Sequence, residues 1–296
     1  MENITFSDEL NRLVLDKKTQ HRPVAKNTLT KYIQEYNYLT KSHKKTGNWI
    51  TEMSIENLIK LIHNMDTKPT GKLSNLNIIL LIKKNTNDNL KPLLELRDKL
   101  NKQLKTQLNE LQTRKKDELP PYIEIVNHIE NLYDTNQYTN FLVNFLCFEY
   151  GLRNKDLNLY IIPLDEYKLA TNPLNYLVMR KTDCLLVISD YKTVNTYGVK
   201  KIVIRSKKVL NVARKLGKGY LLVNRYNEPL NDDNLSYYVN LYTTTNGVKL
   251  TEADYYKIKI RHLQTLPNSL EEISKLANTR GSSLFCANEH YNLNKS

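Results

Sequence analysis

Residues 140–157, NFLVNFLCFEYGLRNKDL, decide how this chain is built. The first eleven are apolar nearly all round, which puts a helix in an interior rather than on a surface. Gly151 follows, a residue able to close that helix in the left-handed conformation, and Arg153 stands two positions beyond. Short β-rich runs come next: LYIIP (159–163), NYLVMRK (175–181), CLLVISDYK (184–192) and VKKIVIR (199–205). Their β-branched and aromatic residues, separated by turn residues, predict a small, three-stranded antiparallel sheet.

Around this stretch the signals are helical. YIEIVNHIENLY (122–133) precedes it, and helical spacing returns at 207–216, 234–243 and 252–266. Pro267 stops the last of these, and Ser269-x-x-Glu272 reads as a capping box for SLEEISKLAN (269–278). This half of the chain is therefore mixed α+β.

Upstream no strand signal occurs. Leu29, Tyr32, Ile33, Tyr36 and Leu39 share a helical face, with Asn27 or Thr28 as N-cap. Ser54 precedes a helix with Ile55, Leu58, Ile59 and Ile62 in one stripe. A third helix carries Leu76, Ile79, Leu80 and Lys83, entered from a turn at 68–71. A fourth runs from Pro92 with leucines at 93, 96, 100, 104, 108 and 111 on one face. Four amphipathic helices make an all-α bundle. QTRKKDELPP (112–121) is charged and proline-ended, with little to bury, and reads as a linker. The expected division is an N-terminal extension over 1–22, a helical domain over 23–112, a linker over 113–121 and a mixed domain over 122–296.

The 296 residues are 40% hydrophobic with only 8 glycines and 9 prolines, which excludes wholesale disorder and linker-dominated chains. Net charge is +13, carried by both halves: 22 basic against 14 acidic residues in 1–120, and 22 against 17 in the remainder. A folded chain this basic points first to nucleic acid and second to an anionic surface. No 18-residue apolar run exists, so no membrane is expected as partner. Cys147, Cys184 and Cys286 are odd in number and without a CxxC pair, which disfavours disulfides and zinc and suits a reducing intracellular compartment.

Three patterns of chemistry-bearing residues arrive in order. Phe148-Glu149-Tyr150-Gly151-Leu152-Arg153 is first. Lys192, in SDYKTVNTYG (189–198), is second, with Lys181 and Lys200 as neighbouring rivals. Ile260-Arg261-His262-Leu263 is third, followed by Asn288-Glu289-His290-Tyr291. Together, over about residues 125–291, these resemble the tyrosine recombinase (phage integrase) family. That family has a helix ending in T-G-L-R, a hairpin lysine, an H-x-L-R-H box, a G-H-S box and a terminal nucleophilic tyrosine. The helical half resembles its core-binding domain. The Asn- and Lys-rich wording resembles versions carried by large DNA viruses and mobile elements.

The resemblance implies a site-specific recombinase or integrase that integrates or excises a mobile or viral genome, with Arg153, Lys192, Arg261 and Tyr291 as catalytic residues. Tyr291 would attack the scissile phosphate and hold it as a 3′-phosphotyrosyl ester, Arg153 and Arg261 would grip the phosphate, and Lys192 would protonate the leaving oxygen. The residue types suit that chemistry: a phenol splits one hard step into two, guanidiniums fork onto phosphate oxygens, and a lysine near other cations yields its proton more readily. No cofactor and no metal are called for. Double-stranded DNA is the expected partner, with a homotetramer on two duplexes.

The pattern departs from the family in two boxes. Ile258 stands where the family has His or Lys, flanked by Lys257 and Lys259. Ser282 stands at the His/Trp position of Arg280-Gly281-Ser282-Ser283. Lys259, Ser282 and Arg280 are therefore the candidates to take those roles. Only five residues follow Tyr291, too few for the helix exchange that joins protomers in the family. Lys26, Lys31, Lys41, Lys44, Lys45 and Lys72 in the helical half are candidate contacts to DNA phosphates. A topoisomerase-like relaxing enzyme, a non-catalytic DNA-binding relative and a metal-dependent nuclease remain as alternatives.

Overall fold

The computed structural model describes residues 26–45, 49–84, 86–116, 119–172, 174–230, 235, 239 and 241–290. Tyr291, the expected 1–22 extension and most of the 234–243 segment lie outside these residues. The chain divides into two compact units, 1–113 and 114–296.

In the first unit the helices are Lys26–Ser42, Trp49–Glu52, Ile55–Asn64, Pro69–Lys83 and Lys91–Lys116. Ser54 caps the third, its Oγ accepting from Asn57 N. Pro69 stands inside the next helix at its first turn, where its missing N–H costs nothing, so the expected 68–71 turn is the helix start itself. Leu58, Ile62, Leu76, Ile79, Leu93, Leu96 and Leu100 share one core. Lys83 is also buried there. Its ammonium donates to Asp88 Oδ2 (2.6 Å) and to Thr51 O (2.8 Å), so the charge is paired rather than stranded.

The second unit opens with helices Tyr122–Asp134 and Tyr138–Tyr150. Phe141, Leu142, Val143, Leu146, Cys147 and Phe148 are all buried, which accounts for the absence of a polar face. A 3₁₀ turn, Asn154–Leu157, leads to β1 (Leu159–Pro163). The sheet continues with β2 (Asn175–Met179), β3 (Cys184–Ile188), β4 (Lys200–Ile204) and β5 (Gly219–Tyr220), in the order β4-β3-β2-β1-β5.

The sheet corrects the expectation in two ways: it has five strands, and it is mixed. β1 and β2 are parallel, because residues 164–174 carry the chain back through the helical turn Leu164–Tyr167 instead of closing a hairpin. The remaining pairs are antiparallel. β5 is two residues long, too short to show any alternation.

The sheet's main-core face carries Leu159, Ile161, Leu177, Cys184, Leu186 and Ile204, packed with the helix Lys207–Leu216 and the 138–150 helix. Residues 241–243 are not helical, and Thr243 forms an isolated bridge with Lys249, so the expected 234–243 helix does not reach them, while Leu235 is helical and accepts from Val239 N at 2.9 Å.

Helices Glu252–Leu263, Ser269–Arg280 and Leu284–His290 complete the unit. The capping box lies at Thr251–Asp254, each side chain serving the other's backbone N–H. The one expected at Ser269–Glu272 is absent. Glu272 N donates to Asn268 O, so Asn268 takes the cap position and Ser269 is already inside the helix.

Gly151 closes the 138–150 helix at φ 63° and ψ 28°. A Cβ there would stand 2.9 Å from Tyr256 Cδ2. Gly151→Ala is expected to lose about 1–2 kcal/mol to left-handed backbone strain and about 1–3 kcal/mol to overpacking. Urea unfolding of the whole chain measures it, and an unshifted midpoint would mean that Tyr256 yields freely.

Candidate active site

Helix ends leave carbonyls unsatisfied and carry partial negative charge, so they attract cations. Two such ends meet in the second unit. The 138–150 helix stops at Gly151, and the 269–280 helix stops at Gly281, also left-handed at φ 71° and ψ 44°. Each end is served by an arginine from the other. Arg280 Nη1 donates to Gly151 O at 2.8 Å, and Arg153 Nη1 donates to Arg280 O at 2.5 Å. Arg280 is 2% exposed, and its guanidinium lies over the Tyr256 ring, 4.6 Å from the centroid.

A third cation joins them from β4. Lys200 Nζ donates to Thr279 O at 2.8 Å and sits 4.2 Å over the Tyr191 ring. Burial lowers the Lys200 pKa to about 8, with the Asp156 charge opposing and the Arg153 charge assisting. Thr193 Oγ1 donates to Gly281 O at 2.7 Å, so the 189–199 loop is tied to the same helix end. Gly281 has to lack a side chain: a Cβ would stand 2.5 Å from Thr193 Oγ1 and 2.9 Å from Lys200 Nζ.

Asp156 faces this group from the 3₁₀ turn. It is 2% exposed, and Oδ2 accepts from Arg153 N at 2.9 Å. Oδ1 has no hydrogen-bond partner among the described residues. Burial raises its pKa, against the Arg153 N–H bond and the charges of Arg153, Arg280 and Lys200. Asn175, buried at the head of β2, ties the parts together. Its Nδ2 donates to Asp190 O (3.0 Å), and its Oδ1 accepts from Ser189 N and Asp190 N.

The sequence-derived candidates are distributed as follows. Arg153 and Arg280 are in the cluster. Lys192 is exposed, in the loop between Tyr191 and Thr193. Arg261 is half-buried and donates from Nη2 to Pro120 O at 2.8 Å. Lys259 is paired with Glu149 Oε2 at 2.7 Å, beneath the Tyr122 and Phe148 rings, while His262 stacks on Tyr122. Neither Lys259 nor Arg261 hydrogen-bonds to Arg153, Lys200 or Arg280 among the described residues. Ile258 is fully buried. Ser282 caps its own helix, with N and Oγ both donating to Ala277 O.

Tyr291 lies outside the described residues. The helix Leu284–His290 leads up to it, and Ala287 and Leu284 pack with Tyr256, Ile260 and Leu276.

Sequence reading assigned no role to Asp156, Asn175 or Thr193, and it held Lys200 as a rival. The available signals were thin: the Arg153-x-x-Asp156 spacing, and a polar residue heading an apolar strand.

In the helical unit Lys31, Lys41, Lys44 and Lys45 are exposed, and Lys72 Nζ donates to His63 O at 2.7 Å, joining two helices. Lys26 begins the first helix. Among the described residues no group of three or more His, Cys, Asp or Glu is arranged to hold a metal, and no helix is long and apolar enough to cross a membrane.

No family model matches the chain, and no curated protein matches it. Among solved structures it is similar to the crystal structure of XerA recombinase, at 12% identity and a TM-score of 0.38, over 98% of this chain and 94% of that one.

Proposed function

We propose that this protein is a DNA strand transferase that works through a tyrosine ester, as a site-specific recombinase or integrase of a mobile genome. The observation that carries the reading is the meeting of Arg153, Lys200 and Arg280 where the 138–150 and 269–280 helices end, Arg153 and Lys200 donating to the second end and Arg280 to the first. The 269–280 helix ends eleven residues before Tyr291 in the chain. Cations held against helix carbonyls are already gathered for a phosphate, which offers them a full charge in place of partial ones.

In this reading Tyr291 Oη attacks phosphorus, the P–O5′ bond breaks, and a 3′-phosphotyrosine and a 5′-hydroxyl result. A 5′-hydroxyl from a second duplex reverses the step, which suits a tetramer acting on two duplexes. Arg153 and Arg261 hold the phosphate, and the lysines of the helical unit bind duplex backbone without reading sequence.

The test incubates the full chain with a randomised library of nicked duplexes and isolates DNA that stays attached in denaturant. Wild type is expected to yield adducts and Tyr291→Phe none. Adducts that persist in Tyr291→Phe would reassign the nucleophile.

A second reading, a DNA-binding relative without catalysis, draws on the burial of Ile258 and the inward turn of the Ser282 hydroxyl. Salt-dependent duplex binding by wild type with no adduct would establish it.

A further inference from the structure

Residues 199–218, VKKIVIRSKKVLNVARKLGK, hold eight basic residues and no acidic one. The fold gathers part of this run at the end of the sheet away from the Arg153 cluster. There the β2–β3 turn, residues 180–183, is closed by Arg180 N donating to Asp183 O at 2.9 Å. Cys184 pairs with Ile204, so Arg205 leaves β4 beside that turn. Arg214, on the 207–216 helix, donates from Nη2 to Lys181 O at 2.9 Å.

Lys181, Arg205, Lys207 and Arg214 are all exposed, and among the described residues none of the four is in an ion pair with a carboxylate. The nearby carboxylates are taken: Asp183 holds Arg180, Glu130 holds Lys208 and Glu166 holds Lys218. Nor does helix stability account for Lys207. It stands in the first turn, where the helix dipole disfavours a cation, and no acid offsets it there. Cations gathered without counter-charges repel one another, a cost that a polyanion removes on binding.

We infer that this end of the sheet is a second phosphate-binding surface, which takes the backbone of a further stretch of duplex DNA without reading its sequence. The inference rests on DNA binding, common to both readings above, and not on cleavage. Lys200, in the Arg153 cluster, and Arg205 stand at opposite ends of β4, about 17 Å apart along the strand. One phosphate therefore cannot serve both places.

Duplex DNA fits this surface better than other polyanions. Contacts to its phosphates come from arginine forks and from lysines, and Arg205 and Arg214 supply two such forks. A membrane-binding helix needs an apolar side to insert, but Val209, Leu210, Val212 and Ala213 are buried in the core. A protein partner is commonly anchored on aromatic side chains, and the neighbouring Tyr133 and Tyr138 rings lie beneath Lys208 and Lys215.

The test titrates the full chain with a duplex of about one helical turn and arbitrary sequence, and counts duplexes bound per chain by sedimentation. Lys181→Glu, Arg205→Glu and Lys207→Glu are made together. Wild type is expected to bind one duplex per chain more than this triple variant. Salt should weaken that additional duplex with a log–log slope of about 3–4, at about 0.9 for each of the four cations. Glu at 207 suits the start of a helix, so the urea midpoint should not fall. Gln at the same three positions gives a milder variant, whose slope for that duplex should drop by about 2.7.

An unchanged count and affinity in both variants would overturn the inference. Weaker binding at an unchanged count would make these residues part of a single duplex path and overturn the separate surface. Capture of phosphatidylserine vesicles by wild type and not by the triple variant, with equal duplex counts, would assign the surface to a membrane instead. Wild type that binds no duplex would overturn both DNA readings, and this inference with them.

Discussion

Arg153→Ala should slow single-turnover strand cleavage by about 10²–10³-fold, the usual cost of losing one donor to a phosphoryl transition state. Arg153 leaves the 138–150 helix just past its glycine cap, and its guanidinium is held at the Arg280 carbonyl beside Lys200. Its planar fork spans two phosphate oxygens, and lysine's single ammonium does not. Arg153→Lys should therefore recover only part of the rate. Duplex affinity should change little, because the many other lysines and arginines carry the non-specific attraction. Cleavage by Arg153→Ala within fivefold of wild type would move the phosphate away from this cluster.

Arg280→Ala should act mainly on stability. Its guanidinium is buried, donates to Gly151 O and lies over Tyr256, so it joins the ends of two helices 129 residues apart in sequence. A hydrogen bond from a charged donor contributes about 1.5–3 kcal/mol, and a desolvated contact with an aromatic face about 2 kcal/mol. The expected loss is about 3–5 kcal/mol in urea unfolding, with Arg280→Lys in between. A loss below about 1 kcal/mol would mean that the apolar contacts of Tyr256, Ile260, Leu276 and Ala277 hold the helix ends without it.

Much of the fold was legible from local pattern. The 140–150 run reads as a buried helix because it lacks a polar face, and Gly151 reads as its cap because only glycine takes a left-handed turn cheaply. Ser54 and the leucine stripe from Leu93 follow the same local rules. The sheet was misread where the deciding fact is non-local. Nothing in LYIIP or NYLVMRK states that their connection crosses back and makes them parallel, and β5 is too short to signal at all. The Ser269 capping box failed because the residue before it, Asn268, supplies the first helical carbonyl.

The site divides in the same way. Arg153 is marked by its place behind a glycine-capped buried helix, a local signal. Which of Lys181, Lys192 and Lys200 joins Arg153 and Arg280 is not a local matter. It depends on how a loop folds over a helix end 79 residues further along, from Lys200 to Thr279. Asn175 and Thr193 act through backbone groups of distant segments, which no spacing rule reveals.

The sequence by itself determined the charge, the helical first unit, the buried helix and the order in which the chemistry-bearing residues arrive. These depend on composition and on neighbours a few positions away. Only the tertiary structure decided which cations share one place. Arg153, Lys200 and Arg280 meet because two helices end side by side at glycines, with Arg280 donating to Gly151 O and Arg153 to Arg280 O, and a bare Gly281 leaves room for the Lys200 ammonium.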